Sequence, residues 1–412
     1  MTIDPAEQAR AAANTAARAS YGRLIAYLSA RTRDIAGAED ALGEAFAAAI
    51  DHWVSDGVPA NPEAWLLTAA RRKLIDASRR ATIRHSGKNE IALAIEDAAA
   101  LAAGDRFVDE RLKLLFICAH PAIGERARTP LMLQTVLGLD AARIASAFLV
   151  SPSSMAQRLV RAKRKISEAR IPFVEPEPED LQARADAVLD AIYAAFGAGF
   201  DEQGSDDGGA DLSREAIYLA DLAAGLLPAN AEAHGLAAQM AFVEARRTAR
   251  RVDGNYVPLD AQDTAHWDRQ LISKAEASLA QAAAINAVGR YQLEAAIQSA
   301  HVNARLSGVD VRDAVVRLYE RLLATAPSIG AVIAKAGALL KAGRGPEALA
   351  TLDALDAAVV AAHQPYWATR AHALAEASRT PEAAAAFDRA IGLSSDAGTR
   401  RFLSGAKARL TD

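Results

Sequence analysis

The chain has 412 residues, 47 Lys+Arg against 51 Asp+Glu, 51% hydrophobic and 5% aromatic residues, and one cysteine. That length exceeds what a single hydrophobic core organises, so two or three domains are expected. Cys118 has no partner for an internal disulfide, and no stretch reaches the roughly 18 apolar residues of a membrane span.

The opening residues lack a charged start followed by an apolar run, so we expect a cytoplasmic protein with no membrane partner. Alanine, the strongest helix former, is abundant, while the residues that favour strands are thin, which predicts an all-α fold. Charge is uneven. Residues 1–172 hold 24 cationic against 19 acidic side chains, and the remainder 23 against 32. A basic front suits a polyanion, and an acidic rear does not.

In chain order, residues 18–50 have helical periodicity. Leu24, Ile25 and Leu28 mark one stripe, and Ile35, Ala38, Leu42, Ala45, Phe46 and Ile50 the next, with Asp34, Glu39, Asp40 and Glu44 off it. Gly57, Pro59 and Pro62 break the chain, and Asn61 then caps a helix with Pro62 at its first position. That helix runs to about Arg80 and carries Arg71, Arg72, Lys73, Arg79 and Arg80 against Asp76. "HSGKNE" (85–90) reads as a loop, and helices are expected over 106–118 and about 125–137.

Asp140 caps "AARIASAF", which packs through Ile144, Ala145 and Phe148. Ser151 and Pro152 open a final basic helix with Met155, Leu159, Ala162 and Ile166 at spacings of 4, 3 and 4. Ser154, Gln157, Arg158, Arg161 and Lys165 share its other face, the layout of a helix-turn-helix whose second helix enters a major groove. Arginine binds guanine through two bonds and Gln157 or Ser154 reads other base edges, while Lys163, Arg164 and Lys165 grip phosphate. Trp65 either stacks on an unpaired base or fills the core.

"IPFVEPEPEDL" (171–181) reads as an extended spacer, and "DEQGSDDGGA" (201–210) as a flexible loop. Helices are expected at 211–226, 230–250, 265–284, 291–305 and 312–325. "AGRGPEALATLD" (342–353) and "ASRTPEAAAAFD" (377–388) then repeat at an offset of 35. Trp367, Ala371, Leu374, Ala383, Phe387 and Ala390 have tetratricopeptide spacing, matched by Ala336, Leu339, Ala348, Leu352 and Leu355, so stacked helix pairs are expected.

Together these segments resemble an RNA polymerase sigma factor of the sigma-70 family, extracytoplasmic-function group, with a C-terminal tetratricopeptide-like extension. "RDIAGAEDALGEAFAAAI" resembles the region 2 helix that docks on the polymerase clamp, which implies that Asp34, Glu39, Asp40, Glu44 and Phe46 meet core RNA polymerase. "NPEAWLLTAARRKLIDASRR" resembles the helix that opens and reads the −10 element, which implies roles for Trp65, Thr68, Arg71, Arg72, Lys73, Arg79 and Arg80. "LDAARIASAFLVSPSSMAQRLVRAKRKI" resembles the region 4 reader of the −35 element, with Ser154, Gln157, Arg158, Arg161, Arg164 and Lys165 toward DNA.

The implied plan is region 2 over 1–83, a linker over 84–104, region 4 over 105–172, a Pro/Glu linker over 173–181 and a helical extension over 182–412. The partners are core polymerase and promoter DNA, with a regulatory protein or an intramolecular contact at the extension, and no cofactor. Leu149, Ala156 and Gly43 depart from the residues usual at their motif positions.

An enzyme fits poorly. Cys118 and His120 have no second ligand pair, "HSGKNE" lacks the rest of a phosphate loop, and the acidic loop lacks calcium-ligand spacing. The alternative reading is a one-component helix-turn-helix regulator with a sensing solenoid, for which residues 18–80 have no use.

Overall fold

A computed structural model describes residues 4–84, 109–148, 150–169, 171, 173, 176–201 and 208–410. The expected loop at 85–90, the 84–104 linker beyond Arg84, Leu149 and most of the acidic loop lie outside them. The described residues are almost wholly helical and fall into two compact units divided between Leu227 and Pro228.

The first unit opens with a three-helix bundle: α1 (Pro5–Thr32), α2 (Ile35–Asp56) and α3 (Pro62–Arg84). Asp4 accepts from the Ala6 amide at 3.0 Å and caps α1, so that helix begins well before the expected residue 18. Asn61 caps α3 through the Ala64 amide at 3.0 Å, as the Asn-Pro pair predicts. On α2 the buried stripe is Ile35, Ala38, Ala41, Leu42, Ala45, Ala49 and Trp53. Expectation placed Phe46 and Ile50 there. Phe46 is half-buried and Ile50 is exposed, because Trp53 draws the stripe toward Ala49.

Next come α4 (Glu110–Cys118), α5 (Glu125–Thr135), α6 (Ala141–Ala147) and α7 (Pro152–Glu168). Phe116, Leu131, Met132, Ile144, Met155 and Leu159 form their core. The bundle and this group pack directly. A Cβ on Gly22 of α1 would lie 2.0 Å from the Val136 carbonyl oxygen, and the Tyr21 ring lies against Gly138, so α1 presses on the turn after α5.

The segment read as a spacer is packed: Ile171, Phe173 and Pro176 are buried, and α8 (Pro178–Asp201) begins inside it. Alternating proline and glutamate predict extension only where no apolar surface is near, and Ile171 and Phe173 find one. With α9 (Gly208–Leu226), α8 belongs to the first unit. It lies along α5 and α4, while α9 reaches α1 and α4. Buried Arg184 donates to the Phe116 carbonyl at 3.3 Å, and buried Arg111 bonds Asp109 at 2.8 Å and pairs with Glu215 of α9.

The second unit runs α10 (Ala231–Glu244), a hairpin of β1 (Arg251–Val252) and β2 (Asn255–Tyr256), α11 (Arg269–Ile285), α12 (Arg290–Ser307) and α13 (Arg312–Thr325). It continues through α14 (Ile329–Lys341), α15 (Gly345–Asp353), α16 (Ala357–Val360), α17 (Gln364–Glu376), α18 (Thr380–Leu393) and α19 (Ala397–Ala408). Asp253 and Gly254 turn the hairpin with φ of 50° and 71°, the signature of a type I′ turn. The last helix returns to it. Arg401 donates to Asn255 at 2.7 Å, and Arg251 pairs with Asp396 at 3.0 Å.

The 35-residue repeat is visible as α14–α15 followed by α17–α18. Ala336, Leu339, Ala348 and Leu352 are buried, as are Ala371, Leu374, Ala383, Phe387 and Ala390. Both inter-helix turns need a left-handed residue: Gly343 has φ of 71° in the first, and Ser378 has φ of 59° in the second. A side chain there costs about 1 kcal/mol. Ser378→Gly is therefore expected to stabilise the second unit by roughly that amount, read as a higher urea midpoint with an unchanged slope.

Candidate nucleic-acid interface

Helix α7 is capped, and it buries one face and exposes a basic one. Asp140 accepts from the amides of Ala142 and Arg143, both at 2.9 Å, and Ser151 accepts from the Ser154 amide at 3.2 Å, so both helices are capped. Met155, Leu159, Ala162 and Ile166 are buried, which fixes the rotation of α7 and turns its opposite face outward. Ser154, Gln157, Arg161, Arg164 and Lys165 are exposed, with Val160 among them at 66%. Arg158 is half-buried and donates to the Arg126 carbonyl at 3.3 Å. Arg164 pairs with Glu168 at 3.1 Å, but both are well exposed. Such pairs contribute at most about 1 kcal/mol and exchange readily for phosphate.

The second basic helix, α3, presents Thr68, Arg72 and Lys73 outward and leaves Arg71 half-buried. Arg79 and Arg80 fall in the helix, but their side chains lie outside the described set. Trp65 is half-buried, edge-on to Trp53 at 5.6 Å between ring centres. It therefore belongs to an aromatic cluster and still keeps an open side. The Thr68 hydroxyl donates to the Ala64 carbonyl at 2.8 Å.

Asp34, just before α2, and Asp40 and Glu44 on it are exposed, and Glu44 pairs with Lys73 of α3 at 3.0 Å. Glu39 is the correction. It lies off the apolar stripe and was expected to meet core polymerase, yet its side chain is 16% exposed and pairs with Lys163 of α7, itself 12% exposed. The physical reason is that α7 covers that side of α2. Burial pushes the Glu39 carboxyl above the usual carboxylate range, although Lys163 pulls the other way. Its second oxygen is buried without a partner among the described residues. Lys163 was expected on phosphate, and here it is a bridge between the two halves.

Sequence reasoning also missed the contacts that hold this arrangement. Gly22, Arg111 and Arg184 carry no motif, and each acts only through residues far away in sequence. Cys118 is buried, and burial drives its thiol pKa upward. No metal-holding cluster of His, Cys, Asp and Glu occurs among the described residues, and no helix there is long and apolar enough to cross a membrane.

Comparison with known proteins adds four matches. Residues 17–83 match the model of sigma-70 region 2, and residues 184–283 match a family of unknown function, DUF6596. The uncharacterized protein R00370 of Rhizobium meliloti is 34% identical over 392 residues, covering 93% of this chain and 91% of that protein. A probable ECF RNA polymerase sigma factor, SigI of Mycobacterium tuberculosis, is 28% identical over 173 residues, which span 41% of this chain and 59% of SigI. No solved structure matches.

Proposed function

The chain belongs to the sigma-70 family as an extracytoplasmic-function-like sigma factor, and from that premise we propose that it binds core RNA polymerase and directs initiation by reading −10 and −35 elements. Such factors are DNA-binding and non-enzymatic. The observation that carries the reading is the outward face of α7: a capped helix with a buried apolar stripe and Gln157, Arg161, Arg164 and Lys165 free to enter a groove. In this reading α7 holds duplex −35 DNA. Helix α3 takes the −10 strand, with Trp65 offering its open side to an unstacked base. Unstacking costs a few kcal/mol per step, offset by contacts made to the opened base.

Asp40, Glu44 and Phe46 lie on the clamp-docking helix, α2, and Asp34 just before it. Glu39 joins them only after leaving Lys163. The extension has two parts. Helices α8 and α9 brace region 4, and the second unit carries tetratricopeptide-like helix pairs that regulate the factor.

The test is reconstitution of purified full-length protein with core polymerase, followed by transcription from promoters recovered by sequencing DNA bound to the holoenzyme. Absence of a stable complex with core polymerase would remove the proposal. Within it, Arg161→Ala and Arg164→Ala are expected to lower promoter affinity by about 1–3 kcal/mol each where they reach a base. Where they grip only phosphate, each lowers the salt dependence of binding by about one unit without changing sequence preference.

A further inference from the structure

We propose that the half-open cavity lined by α12, α13 and α14 in the second unit binds a small carboxylate with an apolar body, an acid of about benzoate size. The cavity has a volume of about 220 Å³. That lies below the roughly 300 Å³ at which drug-sized sites begin, so its occupant is small. Ala304, Val311, Val315 and Ala338 supply an apolar floor, with Leu259 beside them.

The polar groups gather around His301. Its ring is largely buried. Burial first, then the nearby charges of Lys341 and Arg246, hold that ring at a pKa of about 4, with Asp260 opposing. At neutral pH it is an uncharged imidazole with one N–H to give. Arg246 is buried, and its guanidinium donates to two neutral oxygens, the Phe242 carbonyl at 3.2 Å and the Gln298 side chain. Its own pKa falls to about 10 through burial and then the nearby Arg250. His301 thus sits in a net positive field that its own neutrality leaves unanswered.

The remaining charges at the wall are mostly occupied. Arg312 is bound by Asp310 through both oxygens at 3.0 and 2.6 Å, and Arg305 donates to the Gln262 carbonyl at 2.9 Å. Lys341 is different. It pairs with Asp260 at 2.7 Å, but the side chains are 47% and 66% exposed, so the pair is weak and its ammonium can turn to a ligand. A carboxylate accepting from Lys341 and from the His301 N–H, with its hydrocarbon on the apolar floor, satisfies both groups at once. This site belongs to the second unit, whereas α3 and α7 belong to the first, and the proposal does not depend on what those helices bind.

The experiment is calorimetric titration of the full-length protein with benzoate and with benzamide, its uncharged counterpart, repeated on Lys341→Met and Ala304→Trp. Lys341 lies at the rim, so its replacement leaves the fold intact and decides the matter if the cavity-filling Ala304→Trp does not fold. The expected result is saturable one-to-one binding of benzoate, about tenfold weaker for benzamide and about tenfold weaker for Lys341→Met, and lost in folded Ala304→Trp. Absence of saturable benzoate binding up to about 10 mM overturns the proposal. So does equal affinity for benzamide, or binding indifferent to Lys341→Met or to a folded Ala304→Trp.

Discussion

A chain ended after Leu227 is expected to purify as a folded monomer, whereas a chain ended after Phe173 is expected to lose the packing of α4–α7 and aggregate. The two cuts remove the same second unit and differ only in α8 and α9. Helix α8 buries Val188, Leu189, Ile192 and Phe196, all at 4% exposure or less. Burying a side chain of that size contributes about 1.5–3 kcal/mol. Four of them approach the whole stability of an ordinary domain, about 5–15 kcal/mol.

The polar contacts point the same way. Removing α8 takes Arg184 from the Phe116 carbonyl, and removing α9 takes Glu215 from Arg111, leaving a buried guanidinium with Asp109 alone. Melting followed by circular dichroism, with size-exclusion chromatography on both chains, measures the difference. Equal melting temperatures would show that α8 and α9 are passengers. The cut matters for function as well. A deletion near residue 175 that abolishes transcription would then report a collapse of α4–α7 and say nothing about regulation, whereas a deletion after Leu227 isolates the second unit's role.

Much of this was legible in the sequence because local rules wrote it. The Asp140, Ser151 and Asn61 caps, the buried stripe of α7 and the 35-residue repeat are each fixed within one or two helical turns or by self-similarity. The failures are long-range. Glu39 follows the rule for a solvent-facing residue until α7 is laid against it, and no spacing within α2 reveals that. The Pro/Glu segment has the composition of a spacer, and only the apolar surfaces it meets turn Ile171 and Phe173 inward. Gly22 looks like a weak point in a helix, yet it is the place where backbone approaches backbone. The candidate site was therefore found by residue type, while the state in which it is held was not.

That state gives the second large expectation: Lys163→Glu opens the first unit and strengthens binding to core polymerase. Replacing the ammonium with a carboxylate sets two acids face to face in a mostly buried contact, one of them with an oxygen already lacking a partner. Breaking such a pair costs about 3–5 kcal/mol, and like charges add to it. If polymerase takes only the open form, its apparent affinity is the intrinsic one scaled by the open fraction. Removing about 3 kcal/mol of closure then improves apparent affinity by as much as ~100-fold. Because Lys163 lies on α7, the helix proposed to bind DNA, the readouts are polymerase binding and, for the chain ended after Leu227, the radius of gyration in solution.

Two further variants separate the latch from general damage. The double exchange Glu39→Lys with Lys163→Glu restores opposite charges and is expected to restore compactness. Gly22→Leu attacks a different contact: its Cβ would meet the Val136 carbonyl oxygen at 2.0 Å, a backbone clash that no rotamer relieves. It is expected to open the unit with the Glu39–Lys163 pair chemically intact. If Lys163→Glu and Gly22→Leu both keep the wild-type radius of gyration, α2 and α7 are not holding each other, and the proposed exchange of partners by Glu39 falls.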